Sequence, residues 1–141
     1  MFVKALLLVV SALLYVAALC LPALHGGAEH VSGVVLLMLG WIQVLDGQCV
    51  AWLANLLFFG AWLCCLFKSD RTALGLLLSA CLIGMDTFRA TRYLKNEAGH
   101  EVMIDRVGAA FYVWELSFLA LVIVVLMRLS KKPGVKRPKT V

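Results

Sequence analysis

Four ionisable side chains and one amide stand where the surrounding sequence is apolar: Asn55 in "AWLANLLFF", Asp86, Arg89 and Arg92 in "LIGMDTFRATRYL", and Glu115 in "FYVWELSF". A charge isolated in hydrocarbon costs on the order of 2.5 to 3.5 kcal/mol even on the lenient insertion scale, so such groups face one another or line a cavity. In a helix Asp86 and Arg89, spaced i,i+3, share a face and can pair. Arg92, one turn further, can snorkel to the interface. Counted along helices from the same outer boundary, Glu115 lies roughly 12 Å deep and Asn55 about 9 Å, the level at which Asp86 and Arg89 arrive from the other side. The expected arrangement is a polar cluster of these five residues. Glu115 pairs with Arg89, Asp86 with Arg89 or Arg92, and Asn55 donates to one of the carboxylates. Two roles stay open: a site where a carboxylate takes up a proton or cation, or a clasp that fixes helix register.

The elements that must position this cluster follow from composition. A chain of 141 residues that is 63% apolar and 15% charged carries more apolar surface than one soluble core can hide. Four apolar tracts, Phe2 to Leu24, Cys49 to Phe67, Ala73 to Tyr93 and Val107 to Met127, each approach the ~20 residues needed to cross ~30 Å of hydrocarbon. The expected fold is all-α, a four-helix transmembrane bundle occupying 1–128, followed by a basic tail at 129–141. Lys4 ahead of the first tract suggests a signal peptide. The apolar run, however, is about twice the usual length of an h-region and Leu19 precedes Cys20, so the tract is expected to be retained as a span.

Orientation follows from the basic residues. With an internal N-terminus, nine fall inside (Lys4, Lys68, Arg71, Arg128, Lys131, Lys132, Lys136, Arg137, Lys139) and four outside (Arg89, Arg92, Lys95, Arg106), which predicts both termini in the cytoplasm. The segment "GVVLLMLGWIQVLDGQ" offers only about 13 apolar residues, roughly 20 Å of helix. Crossing there would reverse the charge split to five inside and eight outside. It therefore reads as a short helix over 33–45 that is interfacial, re-entrant, or an extension of the second span hinged at Gly47. The Pro- and Lys-rich tail reads as an unstructured arm that anchors topology.

The remaining reactive residues carry less. Cys20 and Cys49 fall near the outer ends of neighbouring spans and are a candidate disulfide, while Cys64, Cys65 and Cys81 fill space. No C-x-x-C pair is present for thiol redox chemistry. His25, His30 and His100, with Glu29 and Glu101, fall in outer loops at spacings that match no ligand rule, so no metal and no cofactor is expected. Phosphate-loop, nucleophile-elbow and H-E-x-x-H motifs are absent from the sequence, which predicts no enzymatic activity. The +5 charge sits chiefly in the tail and the aromatic residues in the spans, which disfavours nucleic acid. Trp41, Trp52, Tyr112 and Trp114 suit an outer aromatic belt and Trp62 an inner one. Ala73, Gly75, Ser79, Ala80 and Gly84 would allow close helix contact.

"GWIQVLDGQCVAWLAN" and "FYVWELSF", with "CLPAL" closing the first span, resemble a family of small four-span bacterial inner-membrane proteins with no established activity. In those relatives a G-W, a W-x-A-N and a Y-x-W-x-x-S-F recur in this order over most of the chain; Leu56 stands where they often carry Pro. The resemblance implies the bacterial inner (cytoplasmic) membrane. The expected function is that of a non-enzymatic accessory or interaction protein, with the lipid bilayer and another membrane protein or a second copy as partners. A small transporter or channel subunit using an intramembrane carboxylate is the alternative, and a holin-like pore the third.

Overall fold

The computed structural model describes residues 2–94 and 101–130. In chain order these form α1 (Phe2–Cys20), β1 (Pro22–Gly26), β2 (Glu29–Ser32), α2 (Gly33–Leu45), α3 (Leu53–Leu66), α4 (Asp70–Gly84), a 3-10 turn (Met85–Arg89), β3 (Arg92–Leu94), β4 (Glu101–Met103), β5 (Arg106–Val107) and α5 (Ala109–Leu129). The basic tail beyond Ser130 and the loop holding Lys95, Glu97 and His100 lie outside the described residues.

The protein is mostly helical, with a small sheet that an all-α reading omitted. Three helices are long and apolar enough to cross a membrane: the 19-residue α1, the 20-residue run Asp70–Arg89 made by α4 and its 3-10 continuation, and the 21-residue α5. Four were expected, and the shortfall is α3, whose 14 residues span about 21 Å. Other boundaries also move. α1 stops at Cys20 rather than Leu24, because Leu21 precedes Pro22 and a residue before proline is pushed out of the helical region. The third tract leaves its helix before Tyr93, which instead pairs with Val102 across β3 and β4. α2 and α3 are separate helices, parted by a turn in which Gly47 takes φ +68°.

The core lies among α1, α3, α4 and α5. From α4, Ala73, Leu77, Ala80 and Gly84 are buried at successive helical turns, while Gly75 and Ser79 of the expected small-residue stripe are exposed. Phe58 of α3 stacks on Tyr15 at 5.2 Å and meets Phe118 of α5 at 4.7 Å. Ser11 donates to the Ser117 carbonyl at 2.8 Å with both residues fully buried, so small side chains let α1 and α5 approach closely. The outer surface of the bundle is apolar, with Val9, Leu13, Val16, Leu63, Leu119 and Ile123 exposed.

One end of the bundle is closed by charges. α3 ends in paired hydrogen bonds, Ser69 N to Cys64 O at 2.9 Å and Lys68 N to Cys65 O at 3.3 Å, with Lys68 left-handed at φ 59°. Arg128 donates to the Cys65 carbonyl at 3.1 Å and stands 3.7 Å from Asp70. Lys4 donates to the Met127 carbonyl at 2.8 Å, so the start of α1 and the end of α5 share this end.

The other end carries the strands and α2. β1 is the centre of an antiparallel sheet ordered β2-β1-β5. Its hairpin turns at Gly27 and Ala28 with Gly27 at φ +62°, a conformation that glycine adopts without penalty. Asp105 holds this turn by accepting from the Gly27 N–H. α2 then runs over the bundle end: the Trp52 indole donates to the Leu37 carbonyl at 2.8 Å, and Gln43 donates to the Arg92 carbonyl at 3.1 Å.

Candidate functional site

Asn55 is the node of the buried polar network. Its side-chain oxygen accepts from the Tyr15 hydroxyl at 2.8 Å and from the Trp114 indole at 3.0 Å, while its amide nitrogen donates to the Trp52 carbonyl at 3.0 Å. Three helices, α1, α3 and α5, are thus tied at one point. The expected carboxylate partner for Asn55 is replaced by two aromatic donors. Tyr15 and Trp114 are large enough to bring a polar tip to the centre while burying an apolar body, a property of these residue types that the sequence displays without showing where either tip points.

Asp86 and Arg89 do meet, at 3.0 Å, with side chains 14% and 71% exposed. The second Asp86 oxygen accepts from the Val50 N–H at 2.7 Å, which ties the 3-10 turn to the chain entering α3. Arg92 pairs with Glu101 across β3 and β4 at 2.9 Å. Among the described residues neither arginine reaches Glu115. The reason is the change of backbone: beyond Gly84 the chain tightens into a 3-10 turn and then extends, so Asp86 and Arg89 are directed to the bundle end. Arg89→Ala should therefore shift stability by no more than ~1 kcal/mol, as for other exposed ion pairs. Asp86→Ala should cost about 1–2 kcal/mol, because it also strands a backbone donor. Chemical unfolding of the two purified variants separates these roles; equal losses would place the main effect in the ion pair.

Glu115 sits apart, half-buried against α4. A Cβ on Gly84 would collide with its carboxylate and come within 3.1 Å of the Trp114 ring, so glycine makes the space in which this side chain lies. Cys81 of α4 is its neighbour, and among the described residues its buried Oε1 atom has no hydrogen-bond partner. Four of the five residues are thereby divided into three groups: Asn55 with the aromatic donors, Asp86 with Arg89 at the α3 entrance, and Glu115 of α5 against α4. Arg92 belongs to the strand pair.

The disulfide expectation is corrected: all five cysteines are free, with Cys20 exposed and Cys49 buried. Cys49 points into a small cluster with Ala51 and Ala90, where its thiol donates to the Gln43 side chain at 3.4 Å. Burial pushes the Cys49 thiol up. Since the thiolate is the reacting form, maleimide at pH 7 should label Cys20 roughly tenfold or more faster than Cys49. Cys49 labelling should accelerate as pH rises further into the alkaline range than for an ordinary thiol. Peptide mass spectrometry of the folded protein reads both rates, and equal rates at pH 7 would refute the burial of Cys49. The rings of His25 and His30 lie 6.1 Å apart, and no group of three or more metal-ligating side chains assembles among the described residues.

A chamber of about 90 Å³ opens beneath α2. Leu37 and Gly40 form its roof, Ala51 and Trp52 one wall, Phe111 and Trp114 the other, and Asn55 reaches its floor. Gly40 is required at the roof because a Cβ there would come within 2.8 Å of the Trp52 ring. Comparison of the chain with protein-family models, with curated proteins and with solved structures gives no match.

Proposed function

We propose that the chain is a multi-pass protein of the bacterial inner membrane that acts without catalysis, as an accessory or interaction protein. The observation that carries this reading is the closure of the polar network upon itself: Tyr15, Asn55 and Trp114 satisfy one another across three helices, which is what a clasp requires. Below that level Phe58, Leu77, Phe118, Leu121, Val124 and Val125 fill the interior at no more than 1% exposure, which disfavours a pore. A topology of four crossings, with α3 as the short one, is supported by the contact of Lys4 with the Met127 carbonyl. Ends that meet at one side need an even number of crossings. The bias of basic residues toward that end favours the cytoplasm for both termini.

A small transporter is the second reading, favoured by one observation: the unpartnered, buried Oε1 of Glu115 beside Gly84. Such an atom is a place where a proton or cation can be held. Reconstitution decides between the two. Proteoliposomes of the wild type are expected to pass protons and potassium no faster than empty vesicles, and Glu115→Gln is expected to remain folded and unchanged in this assay. Flux that disappears in Glu115→Gln would overturn the accessory reading in favour of transport.

A further inference from the structure

We infer that the chamber beneath α2 binds a short segment of an uncharged hydrocarbon chain. None of the described side chains lining it is charged. Its polar side chains are already committed within the protein. The Asn55 oxygen accepts from Tyr15 and Trp114, and Thr87 donates to the Gly84 carbonyl at 2.8 Å. Gln43 joins Arg92 and Cys49, and the Trp52 indole is bonded to Leu37. A headgroup, a sugar or an ion would find no free charged partner there. Water fares little better, since a buried water needs two to four polar partners.

The chamber is larger than an ordinary packing gap. At about 90 Å³ the chamber has several times the room one water needs. It is smaller than the ~150 Å³ apolar cavity known to hold benzene, so it takes a short stretch of chain and not a whole lipid. Its walls are kept apart by rigid features: the Trp52 ring against Gly40, and Gly33 seated on the backbone of Ala18 and Leu19. The roof helix is apolar on both sides. Val34, Met38, Trp41 and Leu45, at successive turns, are exposed on its outer face, while Leu36, Leu37 and Gly40 face the chamber. An outer stripe of this kind suits the headgroup and acyl boundary of a bilayer. That placement brings lipid chains to the edge of the roof.

The inference rests on the membrane reading, and one experiment tests both. Full-length protein is reconstituted with phosphatidylcholine bearing a diazirine on one acyl chain, irradiated, and its adducts are mapped by mass spectrometry. Expected are adducts on exposed Val9 and Leu13 of α1, and also on chamber residues Leu37, Trp52 and Phe111. Ala110→Leu, which fills the chamber from α5, should lower chamber adducts roughly fivefold or more by removing the contacts a chain would make, and leave those on α1 unchanged. Leu36→Phe fills it from the roof and guards against misfolding of the first variant. A diazirine-bearing fatty alcohol in the same vesicles distinguishes the sources: chamber labelling by both probes supports any hydrocarbon chain, and labelling by the phospholipid alone supports a bilayer lipid. Labelling of α1 without the chamber, or chamber labelling that both fillings leave unchanged, would overturn the proposal. Loss of the α1 adducts as well would overturn the membrane reading itself.

Discussion

Replacing Asn55 with leucine should destabilise the folded bundle by about 2–3 kcal/mol. The substitution removes the one acceptor shared by the Tyr15 hydroxyl and the Trp114 indole. A buried donor left without a partner costs ~1–3 kcal/mol. Measured interhelical hydrogen bonds in membranes are weaker, averaging ~0.6 and reaching ~1.7 kcal/mol, which draws the sum of two toward the lower end of the range. Leucine adds no compensating burial energy if the unfolded helices already lie in lipid. Tyr15→Phe removes one donor and its need together, so it should cost about 1 kcal/mol. The double variant should lose less than the sum of the singles, because the leucine then strands only Trp114. Unfolding of the purified variants in mixed detergent micelles reads all three values. An Asn55→Leu protein within ~0.5 kcal/mol of wild type would mean that this network does not hold the helices together.

Gly108→Val should cost about 3 kcal/mol and act at the opposite place, where α5 leaves the sheet. A Cβ at Gly108 would meet the Pro22 backbone, with the carbonyl carbon only 2.8 Å away, and His25 Nε2 at 3.1 Å. The Gly108 N–H donates to the Ala23 carbonyl at 2.7 Å, so neither strand can retreat without losing a hydrogen bond. Backbone against backbone yields little, which puts the cost at or above the ~1–3 kcal/mol usual for overpacking. The change should also loosen β5 from β1, where Leu24 faces Val107. Hydrogen exchange at Val107 and Gly108 should quicken while amides of α5 beyond Trp114 stay protected. Unchanged exchange at those two sites would remove the basis for this prediction.

The apolar tracts were legible because each is a run of hydrocarbon side chains long enough to be counted. What counting could not supply was where each helix ends. Pro22 ends α1 and Gly108 opens α5 through local backbone chemistry that the sequence displays, yet the strands beside them are only five and two residues long. A period of two over so few residues does not stand out from loop sequence. Arg92 and Tyr93 read as the end of a span for the same reason, and proved to be one edge of the β3–β4 pair.

The sequence by itself determined that the chain is rich in apolar helix and that Asn55, Asp86, Arg89, Arg92 and Glu115 could not be left to face hydrocarbon alone. Depth along a helix follows from a fixed rise per residue, so the sequence also supplied an expected level for each, which the 3-10 turn after Gly84 alters for Asp86 and Arg89. Only the tertiary structure decided who meets whom. Partner choice depends on the direction of each side chain around its helix and on the 3-10 turn after Gly84, which sends Asp86 to Val50 and leaves Glu115 with Cys81. It also raised a roof over the bundle, because α2 packs by Gly33 on Ala18 and Leu19 and by Gly40 on Trp52, and a cavity lined from distant segments has no signature in any one of them.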